Sequence, residues 1–128
     1  MSSYRLSNSL SIRKNDYNTI KSKYFNRIPV IVEFASNIVN FAQVSSLSKN
    51  KKFLVPDTLP LMTLVTNVRK ISQIKSSDTL LLFIDSKIYT GSTSMNDIYD
   101  EYTKKHKDDE DFDGFLYVQA TKESVFGI

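Results

Sequence analysis

The stretch IPVIVEFA (residues 28–35) decides the fold. Its β-branched residues pack poorly in a helix and well on a pleated surface, so it reads as a buried strand. Asn26-Arg27 interrupts the pattern before it, and Pro29 starts the extended run. Upstream, residues 10–24 follow a helical period, with Tyr17, Ile20 and Tyr24 on one face. Residues 1–9 (MSSYRLSNS) are polar and are expected to be loose.

Downstream, SNIVNFAQVSSLSKN (36–50) is Ser-rich and reads as a long connection. KKFLVP (51–56) alternates and stops at proline, as an edge strand does. Thr58 is expected to cap the next helix, with Pro60 tolerated in its first turn. In that helix Leu61, Leu64, Val65 and Val68 form one buried stripe.

TLLLFI (79–84) reads as a central strand, and DSKIY (85–89) as a turn into a short partner. Ser94 and Asp97 have capping-box spacing, and the helix they open turns Met95, Ile98, Tyr99 and Tyr102 inward. GFLYVQA (114–120) is the last strand. Two strands, a crossing helix and further strands describe a β-grasp sheet behind a helical front. The class is α+β.

The chain has 128 residues, enough for one domain with a single core. It contains no cysteine, which excludes a disulfide scaffold, a thiolate metal site and a cysteine nucleophile, and suits a reducing compartment. There is no Asn-x-Ser/Thr acceptor and no secretory apolar region, and no apolar run approaches the roughly 18 residues of a membrane span. Ser2 excludes N-myristoylation. Membrane attachment is therefore expected to be added later or to come through a partner.

Net charge is +3, unevenly placed. Arg5, Arg13, Lys14, Lys21, Lys23 and Arg27 face a single early acid, Asp16, whereas KKHKDDEDFD (104–113) reverses the sign. A basic front can attract acidic partners, nucleic acid or anionic lipid. His106, the one histidine, sits among lysines and reads as solvated rather than catalytic. Asp108, Asp109, Glu110, Asp111 and Asp113 lack EF-hand alternation and read as a solvated loop. No cofactor or metal is expected, and the chain is not expected to be an enzyme.

The final ESVFGI (123–128) places Gly127 after an aromatic residue. A glycine lets the backbone enter a channel that a β-carbon would block. Taken with KSKYFNRIPVIVE, KKFLVP, DTLLLFI, MNDIYDEY and DGFLYV in the same order, this tail resembles the autophagy ubiquitin-like modifiers. That family is represented by the GABA-receptor-associated protein and the microtubule light-chain-three proteins. The resemblance covers residues 10–128.

What the resemblance implies is a ubiquitin-like β-grasp core over residues 28–121, an N-terminal helical extension over 1–27 and a flexible processing tail over 122–128. It implies a cysteine protease that reads Phe126 and Arg69 and removes Ile128, a one-residue propeptide. Ubiquitin-like activating and conjugating enzymes would then join Gly127 to phosphatidylethanolamine. It also implies receptors with a short aromatic-x-x-aliphatic motif that adds as a strand to the sheet edge.

By resemblance, the aromatic anchor meets Asp16, Ile20, Pro29, Ile31, Lys52, Leu54 and Phe115. The aliphatic anchor meets Phe53, Val55, Pro56, Leu59, Leu64 and Val68. Lys51 and Lys52 draw in acidic residues beside the motif. The expected molecule is a cytoplasmic monomer that becomes attached to autophagosomal or related vesicles. A rival expectation is a non-conjugated adaptor whose basic helices bind a cytoskeletal or nucleic-acid surface. The chain departs from the family at Phe25-Asn26, Asn50, Ile71 and Ala120, in a longer 36–49 connection, and in an insertion around residues 104–109.

Overall fold

Residues 28–32 are apolar on both faces because helices cover both faces of their strand. In the computed structural model, which describes residues 3–39, 49–72 and 74–123, strand β1 (Arg27–Phe34) lies between β2 (Asn50–Pro56) and β4 (Leu116–Glu123). β2 runs antiparallel to β1, from Arg27 opposite Pro56 to Glu33 opposite Asn50. β4 runs parallel to β1, with Val30 opposite Leu116 and Phe34 opposite Ala120. β3 (Thr79–Phe83) pairs antiparallel with β4, giving the order β2-β1-β4-β3.

The sheet has a core on each face. On one side Ile28, Val30, Val32 and Phe34 join Val55, Leu116 and Val118. Leu61, Leu64 and Val68 of α4 (Leu61–Ser72), and Met95, Ile98 and Tyr102 of α5 (Met95–His106), cover them. On the other side Ile31, Phe115 and Tyr117 pack with Tyr4, Tyr17 and Ile20. Those last three come from α1 (Ser3–Ser7) and α2 (Leu10–Lys23).

Several expectations need correction. Residues 79–83 form an edge strand, not a central one, because β4 inserts between β1 and β3. Leu80 and Leu82 are buried while Leu81 and Phe83 are half-buried, and a continuous apolar run hides that alternation. Residues 3–7 are helical because Tyr4 docks on the body. Ser36–Val39 form a short helix, α3, that buries Ile38 and bonds Asn37 to Thr121 and Lys122. The remainder of that connection, residues 40–48, lies outside the described residues. The last strand starts at Leu116 and runs to Glu123.

Helix starts follow different chemistry. Ser9 caps α2 by accepting from the Ile12 N–H, and Ser94 caps α5 by accepting from Asp97 N–H at 3.1 Å, as its spacing predicts. Thr58 does not cap α4. The free N–H groups of Leu61 and Met62 donate instead to the carbonyls of Thr93 and Gly91, at 2.8 and 2.9 Å. Asp85 and Ser86, both at positive φ, form the turn that pairs Ile84 with Lys87. At Gly114, φ is +102°, and a β-carbon would lie 2.6 Å from the Tyr17 ring. Only glycine lets the chain pass under α2 into β4 there.

His106 is not simply solvated. Its Nδ1 lies 2.7 Å from Asp109 and its Nε2 2.9 Å from Asp85, linking the end of α5 to two loops. Partial burial lowers its pKa, but hydrogen bonds to Asp109 and Asp85 outweigh this and raise it above the ordinary 6.5. Stabilisation from the imidazolium is therefore complete below pH 6.5 and is lost as pH rises through the higher folded value. Unfolding measured against pH should show wild type losing its advantage over His106→Gln on going from pH 6 to about pH 8. A constant difference would contradict this account.

Candidate functional site

β2 is an edge strand, and among the described residues no strand pairs with its outer side. Its side chains alternate. Lys52 and Leu54 sit opposite Ile31 and Pro29 on the α2 face, while Lys51, Phe53 and Val55 sit opposite Val32, Val30 and Ile28 on the α4 face. One edge thus carries two differently lined sides.

The α2 side brings together the residues expected to meet an aromatic anchor. Lys52 Nζ reaches Asp16 at 3.6 Å across the gap between β2 and α2. It also stands 5.8 Å from the Phe115 ring centre. Ile20 packs on the cluster of Ile31, Phe115 and Tyr117, and Pro29 is buried beside half-buried Leu54.

Sequence reasoning missed Tyr4 and Tyr17, whose rings meet Phe115 edge-on at 5.6 Å each. It also missed Tyr117. Alternation offered one signal, since Phe115 and Tyr117 share a face of the last strand.

The α4 side is less open than expected. Val55, Leu64 and Val68 are core residues. The surface there comes from half-buried Phe53 and Pro56 and from Leu59, which is 39 % exposed. Arg69 lies elsewhere. Its guanidinium donates to the carbonyls of Asp78 and Lys75, just before β3. Asp78 pairs with Lys122 at 3.2 Å, so Arg69 stands close to where β4 leaves the sheet. Phe126, Gly127 and Ile128 lie outside the described residues.

A polar network ties the helical front to the segment before β4. Arg13, 4 % exposed, donates to Asp113 at 2.7 Å, to Asp111 at 2.6 Å and to the Asn8 carbonyl at 3.1 Å. Asp113 also accepts from the Phe115 N–H at 2.9 Å and the Tyr117 hydroxyl at 2.5 Å. The acidic run is therefore not uniformly solvated, and Arg13 is withdrawn from the basic surface. Desolvation lowers the Arg13 pKa, but Asp111 and Asp113 reverse this and raise it.

Burial first, then the neighbouring carboxylate, pushes Tyr4 beside Asp16 and Tyr117 beside Asp113 well above the usual phenol range. Both remain hydrogen-bond donors at neutral pH. Between α1, α5 and this segment lies a cleft of about 510 Å³, lined by Arg5, Glu33, Tyr102, His106 and Asp109 among others. It shares only Phe115 with the residues expected to bind a peptide. Among the described residues no group of His, Asp or Glu is placed to hold a metal ion, and no helix is long and apolar enough to cross a membrane.

A mixed four-stranded sheet with helices on both faces defines an α+β ubiquitin-like domain. The family described as autophagy protein Atg8, ubiquitin-like, matches residues 12–127. Autophagy-related protein 8a of Arabidopsis thaliana is 36 % identical over 126 residues, spanning 98 % of this chain and 93 % of that protein. Autophagy-related protein 8B of Oryza sativa subsp. japonica is 33 % identical over 127 residues, spanning 99 % and 97 %.

The crystal structure of Trypanosoma brucei ATG8 superposes with a TM-score of 0.76 at 30 % identity, over 99 % of each chain. Plasmodium falciparum Atg8, in complex with a Plasmodium falciparum Atg3 peptide, gives 0.68 at 27 % identity, over 94 % and 96 %. The chain belongs to the Atg8 family of autophagy ubiquitin-like proteins.

Proposed function

We propose that this chain is cleaved after Gly127 and joined through the Gly127 carboxylate to phosphatidylethanolamine, and that it acts in autophagosome formation and receptor recruitment. The observation that carries this reading is the family match, which runs through Gly127 itself. Hydrolysis of the peptide bond after Gly127 would free a carboxylate. Joining that carboxylate to the lipid amine forms an amide and expels the elements of water. The carboxylate must therefore first be activated, and the family resemblance assigns that work to activating and conjugating enzymes.

A domain with no membrane-spanning helix among its described residues gains firm attachment this way. Each buried methylene contributes about 0.8 kcal/mol, and two acyl chains hold where one is marginal. Arg69 suits the protease reading because it stands near the end of β4, the last described element before the tail. Reconstitution with the family's processing and conjugating enzymes on vesicles containing phosphatidylethanolamine tests the proposal. The chain is expected to float with the vesicles, and persistence in the soluble fraction would contradict it. The molecule would be cytoplasmic before conjugation and vesicle-bound after it.

Receptor recruitment is the second half of the reading. The open edge of β2 can accept a peptide strand, whose backbone hydrogen bonds give affinity while the two sides of β2 take alternate anchors. The same surface suits the Atg3-peptide interaction named for the Plasmodium relative. Lys51 and Lys52, both exposed, favour acidic residues beside the motif. Lys52→Glu is expected to weaken such a peptide about tenfold, or about 1.4 kcal/mol, by fluorescence anisotropy at low salt. Unchanged affinity would remove Lys52 from the site.

A further inference from the structure

We infer that Asn37 is a positioning residue for cleavage of the tail: its side-chain amide completes the last rung of the β1–β4 ladder and so fixes where the tail leaves the body. This rests on the processing reading above, and the hydrogen bonds of α3 supply the rest.

The paired stretch of β1 ends at Phe34, opposite Ala120, while β4 runs on to Glu123. One further rung follows, from the Ala35 N–H to the Ala120 carbonyl at 2.9 Å. Rungs of a parallel ladder are evenly spaced, so the next would join the backbone N–H of residue 37 to the Lys122 carbonyl. At Ser36, however, the backbone turns into α3. The Asn37 side chain takes over that rung. Its Nδ2 donates to the Lys122 carbonyl at 2.9 Å, and the Lys122 N–H approaches its Oδ1 at 3.5 Å. The same amide donates to Thr121 Oγ1 at 2.9 Å and accepts from that hydroxyl at 3.2 Å. A primary amide carries both a donor and an acceptor, as a peptide group does, so asparagine can stand in for the missing backbone. Ile38, 1 % exposed, ties α3 to the core beside it.

Without that rung, residues 121–123 are paired on one side only, by β3, which is itself an edge strand. A two-stranded ribbon is marginal in water, and Asn37 supplies the third partner it lacks. The clamp also bears on Arg69. Lys122, held by Asn37 through its backbone, pairs through its side chain with Asp78 at 3.2 Å, and the Asp78 carbonyl accepts from Arg69. α3, the end of β4 and Arg69 thus form one connected unit. Family resemblance assigns Arg69 to the protease contact, so a protease seated on Arg69 meets the start of the tail at a set separation. With Glu123 held, residues 124–127 must reach the scissile bond; with β4 frayed back to Ala120, residues 121–127 must. Lengthening a connecting segment from four residues to seven lowers the effective concentration of its end by about two- to threefold, following the −3/2 power of length.

The test measures cleavage of the full chain after Gly127 by the family's processing protease. Asn37→Ala is expected to raise KM about two- to threefold with kcat unchanged, and to speed amide hydrogen exchange at Thr121, Lys122 and Glu123. Wild type with Gly-Ser-Gly inserted after Glu123 lengthens the same segment by as many residues and leaves the clamp intact. It is expected to show the same rise in KM without the faster exchange, which separates reach from any loss of fold in the variant. An unchanged KM for Asn37→Ala, whether or not kcat falls, overturns the inference and leaves the processing reading intact. A rise in KM that the insertion fails to reproduce overturns it as well. Failure of the protease to cleave either chain overturns the processing reading, and the inference falls with it.

Discussion

Gly127→Ala is expected to remain in the soluble fraction, with at least a hundredfold loss of lipid conjugation under conditions where wild type is converted. In the proposed reaction Gly127, whose own carbonyl reacts, would have to enter narrow channels of successive partner enzymes. A methyl group there would collide with such a channel, and it would also restrict the positive-φ conformations that glycine adopts readily. A hundredfold loss corresponds to about 2.7 kcal/mol of missing transition-state stabilisation. Both cleavage and transfer would suffer, so the measured loss can exceed that for either step alone. The readout is vesicle flotation combined with gel mobility of the lipid-bearing form. Efficient lipidation of Gly127→Ala would refute the conjugation reading.

Arg13→Ala is expected to destabilise the fold by about 3–5 kcal/mol, the range for removing one partner of a buried ion pair. The comparison with surface pairs is instructive. Lys87 and Glu101 also pair, at 3.2 Å, but both side chains are more than half exposed, and such pairs contribute about 0–1 kcal/mol. Asp113, by contrast, is 5 % exposed and cannot regain water when Arg13 is lost. The hydrogen bonds from the Phe115 N–H and the Tyr117 hydroxyl remain but bring no full positive charge.

For a domain whose total stability is on the order of 5–15 kcal/mol, the loss would be a large fraction. It would also remove the ion pairs between α2 and the segment before β4, leaving the Tyr17 ring on Phe115 as a contact between them. Urea unfolding of wild type and Arg13→Ala checks this. A change below about 1 kcal/mol would mean that the pair behaves like a surface contact.

Local chemistry made much of the fold readable. The β-branched run of β1, the Leu61–Leu64–Val68 stripe of α4 and the Lys-rich, proline-ended β2 each state their own environment in the chain. What escaped reading depends on partners distant in sequence. Whether TLLLF is central or at an edge is fixed by β4, which arrives more than thirty residues later. Arg13 and Asp113 are separated by 100 positions, so the acidic run looked solvated although part of it anchors a buried cation. Thr58 fits a cap pattern, but the loop at Gly91 to Thr93 supplies carbonyls that no local pattern announces.

The candidate site divides the same way. Asp16, Ile31, Lys52 and Phe115 could be grouped through family resemblance, and the β1–β2 register brings Ile31 and Lys52 opposite each other. The burial of Val55, Leu64 and Val68 could not be separated from pocket lining by sequence, because both roles require apolar side chains. Tyr4 sits in a polar segment whose composition suggests disorder. Its place is set by Asp16, Lys52 and Phe115, and none of these is a near neighbour in the chain.

The most direct test is the intact mass of the membrane-bound molecule recovered from cells that make this chain. The account predicts a polypeptide ending at Gly127 and carrying one phosphatidylethanolamine through an amide bond. A membrane fraction in which every molecule retains Ile128 and carries no lipid would contradict it.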